Sequence, residues 1–345
     1  SFEIRRLASE GGTWMPNVFS YSSPEEGATL DDDTPAGLDY EGWPLRPGVP
    51  LSAREQDWVA ITKRLREQMS ADAVWALVRA LRAAGLEGKR IGCDDERTGP
   101  WLAARGFDAR CEYRRDVFNM TRLVKTPREV ELLRKAAQAN EKALLAAGHS
   151  MREGATWDEV ENVFMAQLAQ QGARGVYLLC GAAGLPAVRV RRGEPVMFDG
   201  LARYSNYHGD FGRCFVVGEP SAEQVRRHRG LTKGWEAAHA ILKPGTRYSD
   251  IVREVTAAIR GAGFPEYRGC VVHSLGLEHT DDPKPVAAQP GLKPDAVLEP
   301  GMVVNVDMPF TEIGWGSVHI EDTVVITPSG CDPLTSLDLR LQVVP

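Results

Sequence analysis

The chain has 345 residues, 43% of them apolar and 26% charged, with a formal net charge of −6. That balance is ordinary for a soluble globular protein, and the length allows two domains whose cores need neither disulfides nor a structural metal. It excludes a nucleic-acid or membrane binder: no apolar run approaches about 18 residues, and the basic runs Arg189 to Glu194 and Arg226 to Gly230 lack interleaved aromatics and read as solvated faces.

Along the chain, Ser1 comes first with no methionine, so residues in front of it are expected. From there to about Asp57, Gly, Pro, Asp and Ser are frequent, which reads as surface loop carrying a few strands; Trp14, Tyr40 and Trp43 are taken as packing residues of a first domain. Next, "ADAVWALVRALRAAGL" has apolar residues at helical spacing, and "KRIGCDD" reads as a short buried strand. Together they suggest a small α/β unit over residues 1–124, with a second domain over 125–345.

The second domain opens with Thr126, Pro127 and Glu129, an N-cap, a first-turn proline and a capping box. Thr156 and Glu159 repeat the box, and "SAEQVRRHRGLTKGWEAAHAIL" and "YSDIVREVTAAIRGAG" add further helices. Each half of this domain runs helices then strands, a hint of internal pseudo-symmetry. The cysteines, Cys93, Cys111, Cys180, Cys214, Cys270 and Cys331, form no CxxC pair and are widely scattered, which implies reduced thiols and a cytoplasmic setting.

The chemistry is concentrated in two strand pairs. "PVMFD" and "DFGRCFVVG" are expected to form a hairpin turning between Tyr204 and Ser205, which sets Asp199 opposite Asp210; "MVVNVDM" and "SVHIEDTVVIT" turn about Gly314, which sets Asp307 opposite Glu321. Facing like charges destabilise a sheet, and burying them costs more. Arg213 alone cannot balance four carboxylates, whereas divalent cations can. His273, ending the β-branched run "CVVH", supplies a neutral nitrogen, and four carboxylates with one histidine make the ligand set of a two-metal hydrolytic centre. Singly, each acid reads as a turn or edge residue and His273 as a core histidine; the joint pattern favours metal.

At these residues the chain resembles the creatinase, prolidase and aminopeptidase P family of pita-bread metallohydrolases. Asp199, Tyr207, Asp210 and Arg213 match its first signature, His273 with Gly276, Leu277 and Glu278 its histidine signature, and "EPGMVVNVDMP" and "HIEDTVVIT" its last two. The resemblance covers about residues 120 to 330. It implies an α+β fold, with pseudo-symmetric helices over a curved antiparallel sheet in the catalytic domain and a smaller α/β domain before it, and a homodimer. Asp210 and Glu321 would bridge two metals, Asp199 completing one and His273 with Asp307 the other; manganese is expected first, with cobalt, zinc or iron as substitutes.

Three departures stand out. Asp307 is one methylene shorter than the family's usual Glu. A family histidine in the loop before the first Asp has no counterpart in "CGAAGLPAVRVRRGEP", and a second falls on Thr280, with His279 one position early. His208, His279 and His319, which replaces a common Arg, are candidates for those catalytic or substrate-binding roles, and Tyr207 for substrate contact. The implied activity is a metal-dependent Xaa-Pro dipeptidase or aminopeptidase P-like hydrolase of small peptides, with Asp307 taking the proton. Hydrolysis of a non-peptide C–N bond in a small amide, as by creatinase, elimination by a lyase, and a non-catalytic binding protein are the alternatives.

Overall fold

A computed structural model describes residues 17–21, 33, 45–67, 69–181, 189–282 and 295–345. Trp14, Tyr40 and Trp43, and part of the loop before Asp199, lie outside them. The chain forms two compact units, one ending at Arg115 and the other running from Asp116 to Pro345.

In the first unit, α1 (Ala53–Glu67) begins inside the stretch expected to be loop. α2 (Ala73–Ala83) starts where Asp72 accepts hydrogen bonds from the Val74 and Trp75 amides, both 2.8 Å, while its other oxygen pairs with Arg105. β1 (Arg90–Cys93) and β2 (Arg110–Tyr113) pair in parallel, with α3 (Thr98–Ala103) between them. Only Cys93 of β1 is buried, so the buried strand expected there is corrected: among the described residues this sheet has two strands, too few to cover both faces. Trp75, Val78, Leu102 and Phe107 form the core of this unit.

The second unit contains all but the first residue of α4 (Arg115–Leu123), then α5 (Pro127–His149) and α6 (Trp157–Gln170), and β3 (Arg174–Gly181), β4 (Pro195–Tyr204) and β5 (Tyr207–Val217). α7 (Ala222–Ile241), α8 (Tyr248–Gly261), β6 (Val271–Ser274), β7 (Val303–Glu312) and β8 (Gly316–Ile326) repeat that order, and β9 (Cys331–Pro333) and β10 (Gln342–Val344) close the chain. Both capping boxes form as their sequences imply: Glu129 and Glu159 each accept from the amide of their threonine and donate their own amide back to its hydroxyl.

The sheet order β3-β4-β5-β8-β7-β6 sets the two halves back to back across β5 and β8. Period-two alternation sorts the strands by face. One apolar face packs on α5 and α6 through Phe164, Phe198, Phe211 and Phe215, and in the other half on α7 and α8 through Leu231, Ile251, Val255 and Met308. Asn140 of α5 fastens the first hairpin by donating to the Gly200 and Gly209 carbonyls.

Two expectations need correction. Tyr204 pairs with Tyr207 across a turn at Ser205 and Asn206, both with positive φ, so Asp199 faces Gly212 and Asp210 faces Leu201. A two-residue turn of that hand matches the strand twist and moves the register by two residues, leaving the two aspartates diagonal on one face. The run Arg226 to Gly230 is not wholly solvated: Arg227 is buried, pairs with Glu223 at 2.7 Å and lies over the Trp315 ring at 4.2 Å, because adjacent residues of a helix point to different faces.

Candidate metal centre

The face of this sheet turned away from α5 to α8 is organised in transverse rows. Asp199 pairs with Gly212, Gly212 with Glu321, and Glu321 with Asp307, as expected for the second hairpin. One row over β4, β5, β8 and β7 thus carries three carboxylates, with strands about 4.8 Å apart and a glycine second in line. Asp210 lies two residues along β5 on the same face; in its row the Thr323 hydroxyl donates to the Asp210 carbonyl, Thr323 pairs with Asn305, and Asn305 with His273. On the other side of the central row, two residues before Glu321, stands His319.

These positions bring ligand atoms together. Asp210 Oδ2 is 2.9 Å from His279 Nε2 and 3.7 Å from His273 Nε2. His319 Nε2 is 2.6 Å from Asp307 Oδ1 and 3.8 Å from Glu321 Oε2. Three groups have all their ligand atoms within 4.8 Å of one another: Asp210, His273 and His279; Asp199, Asp210 and Glu321; and Asp307, His319 and Glu321. Asp199 Oδ1, Asp210 Oδ1 and Glu321 Oε2 are buried with no hydrogen-bond partner.

Such oxygens are costly unless something positive meets them. Burial, then Asp210, pushes Asp199 up to about 7, and burial with Asp210, Asp199 and Asp307 holds Glu321 well above the usual carboxylate range. Among the described residues, the nearby fixed cations are committed elsewhere. Arg213 donates to both carboxylate oxygens of Asp322 and to the Glu321 carbonyl, and Lys125 donates to Ser274 beside Asp281. A set of carboxylate oxygens with imidazole nitrogens, partly orphaned, fits divalent cations.

The histidines differ. Burial lowers the pKa of His273, favouring the neutral ring that can ligate. His279, its side chain 40% exposed, is held more basic by its hydrogen bond to Asp210. His208 is buried, which lowers its pKa, and its backbone amide donates to the Gly276 carbonyl, 2.9 Å away. For His319 burial acts against the charged form, but Asp307 outweighs it and raises the pKa.

Asp199, Asp210, His273, His279, Asp307, His319 and Glu321 therefore converge, with His208 flanking them. Asp307 groups with His319 rather than His273, because its partner on β6 is Val271 and His273 pairs with Asn305. Tyr207, at the hairpin tip, donates its hydroxyl to Glu129 at 3.0 Å and joins none of these groups. Two residues carry no sequence signal of their own. Gly212 leaves the gap: a Cβ there would sit 2.6 Å from His319 Nδ1 and 2.8 Å from Glu321 Oε2. Tyr177 of β3 lies edge-on to His279, ring centres 6.2 Å apart, and its hydroxyl is made less acidic by burial and by Asp199 and Asp210.

A helix-and-sheet unit with a carboxylate and histidine centre on the sheet face away from its helices defines a metallohydrolase. The chain belongs to metallopeptidase family M24, whose model matches residues 131–328. It is 29% identical over 240 residues to the Xaa-Pro dipeptidase of Pyrococcus furiosus, covering 66% of this chain and 67% of that protein. With the ectoine hydrolase of Halomonas elongata it shares 29% identity over 155 residues, 44% of this chain and 38% of that one. The X-Pro aminopeptidase structure from Thermotoga maritima superposes with a TM-score of 0.69 at 22% identity, over 83% of this chain and 86% of the other. The pita-bread fold and the resemblance to the creatinase, prolidase and aminopeptidase P family are thus borne out. The chain spans about two thirds of the length of the dipeptidase it matches.

Proposed function

We propose that this chain is a dinuclear-metal-dependent peptidase of the Xaa-Pro dipeptidase or aminopeptidase P type, acting on small peptides. The observation that carries the reading is the row Asp199, Gly212, Glu321 and Asp307, with Asp210 and His273 beside it, in which Asp199 Oδ1, Asp210 Oδ1 and Glu321 Oε2 are buried without partners. The similarity to Xaa-Pro dipeptidases supplies the substrate class.

Asp199, Asp210, His273, Asp307 and Glu321 would hold two divalent cations, and an oxygen-rich set makes manganese the first to test, before cobalt, zinc or iron. Bound there, the ions would supply Lewis acidity for the scissile carbonyl and for water. Asp307 Oδ1 faces His319, which leaves Oδ2 to accept the proton released when water attacks. His279 keeps an exposed ring edge and pairs with Asp210 through Nε2, which supports a role in protonating the departing amine. His208 positions the turn from Gly276 to His279 through the Gly276 carbonyl. The expected homodimer and cytoplasmic setting belong to this reading and are checked by solution mass and cell fractionation.

The test is to strip the protein, reload it with manganese, desalt it and assay Xaa-Pro dipeptides beside longer Xaa-Pro peptides. Chelator-reversible cleavage, lost in Asp210→Ala together with bound metal, is the expected result; metal binding without cleavage of either class would refute the peptidase reading. The similarity to ectoine hydrolase favours one second reading, hydrolysis of a non-peptide C–N bond, so cyclic and linear small amides belong in the same assay.

A further inference from the structure

The geometry points to His319 as a direct ligand of the metal centre, making it a site of four carboxylates and two buried imidazoles in which His319, Asp307 and Glu321 share one ion. This inference rests on the proposed metallohydrolase and assigns a further ligand to it.

The ring's hydrogen bonding carries the argument. Nδ1 lies 3.2 Å from the Phe198 carbonyl, which can only accept, so Nδ1 bears hydrogen. In the neutral ring Nε2 is then a lone pair, and it faces Asp307 Oδ1 at 2.6 Å and Glu321 Oε2 at 3.8 Å. Three acceptors cannot converge in a buried site unless a proton, on Nε2 or on a carboxyl, or a metal ion lies between them. A backbone carbonyl holding the far nitrogen is the usual support of a ligating histidine, since it fixes both tautomer and ring direction. Two atoms each about 2.1 Å from one ion and at right angles are about 3 Å apart, between the two distances found here.

Neighbouring residues shape the site for this ring. His319 is 1% exposed, and period two places it on the face of Glu321. The space it enters exists because Gly212 has no side chain. Glu321 Oε2 has no hydrogen-bond partner, so a proton on His319 would satisfy Asp307 and leave Glu321 orphaned, whereas a shared ion would meet both. Charge also closes: two divalent cations balance four carboxylates, and a second neutral imidazole completes coordination without adding charge.

The experiment is X-ray absorption on the full chain loaded with cobalt, with cobalt per chain measured by mass spectrometry. His273 and His319 spread over two ions give about one imidazole per cobalt, and His319→Gln should give about one half or retain a single ion. Two cobalts with about one half imidazole each in the unaltered chain would overturn the inference while leaving the metallohydrolase standing. No retained cobalt would overturn both. If His319→Gln fails to fold, His279→Gln decides: an unchanged count keeps His319 as second imidazole, and a fall by half transfers that place to His279.

Discussion

Gly212 of β5 pairs with Glu321 of β8, and it is the gap at Gly212 that lets the buried carboxylate and the His319 ring lean toward each other over the sheet. A glycine inside a buried strand weakens the strand, so its presence marks a close approach that the site needs.

Replacing it tests that role. Gly212→Ala places a methyl group 2.8 Å from Glu321 Oε2 and 2.6 Å from His319 Nδ1, and both side chains must move. We expect at least about a tenfold loss of metal affinity, read by competition against a chelating dye, with the far-ultraviolet dichroism unchanged.

Metal should stabilise the fold by mass action. At about one hundred times its dissociation constant, a ligand that binds only the native state adds about 2.7 kcal/mol. Thermal melting with manganese should therefore end higher than with chelator, and coincident melts would show that the acids do not bind the ion.

Glu321→Gln should act oppositely in the two states. Without metal it removes a carboxyl whose ionised form is disfavoured by burial and then by Asp210, Asp199 and Asp307, so the chelated variant should melt a few degrees above the chelated parent. With metal present, the variant should lose most of the increment the ions give the parent.

Asn140→Ala removes the amide that donates to the Gly200 and Gly209 carbonyls in the middle of the first hairpin. Two buried strand carbonyls left without this partner should cost about 2–3 kcal/mol, measured as a lower urea midpoint at unchanged slope.

His228 gives a pH dependence away from the acids. Burial, with Arg213 nearby, lowers its pKa to about 4, while the unfolded ring titrates near 6.5. Between those values the unfolded chain binds a proton that the folded one refuses, so stability is lost as pH falls from about 6.5 to about 4, by about 3 kcal/mol in all. Because Asp199, with its raised pKa, works in the other direction, the measurement is the difference in urea stability between the parent and His228→Gln at pH 7 and pH 4.5, and it should shrink at the lower pH.

The sequence by itself determined the elements and the chemistry. Thr126 and Thr156 opened their helices because a capping box is a local hydrogen-bond exchange over four residues. Asp307 fell opposite Glu321 because the turn about Gly314 is symmetric in chain distance. The candidate ligands Asp199, Asp210, Asp307 and Glu321 were legible because acids in apolar strands demand a partner, and His273 because it ends a β-branched run.

What only the tertiary structure decided was register and neighbourhood. The turn at Ser205 and Asn206 moved Asp199 from Asp210 to Gly212, a shift of two residues that no side-chain pattern announces because both alignments keep the same face inward. The pairing of β5 with β8 then joined the two hairpins into one row and gave Gly212 its meaning; a glycine's function is the absence it leaves, visible only when its neighbours are in place. His319 stood two residues from Glu321 throughout, so its face was readable, but its tautomer was not, for that depends on a carbonyl of Phe198 more than a hundred residues away in the chain.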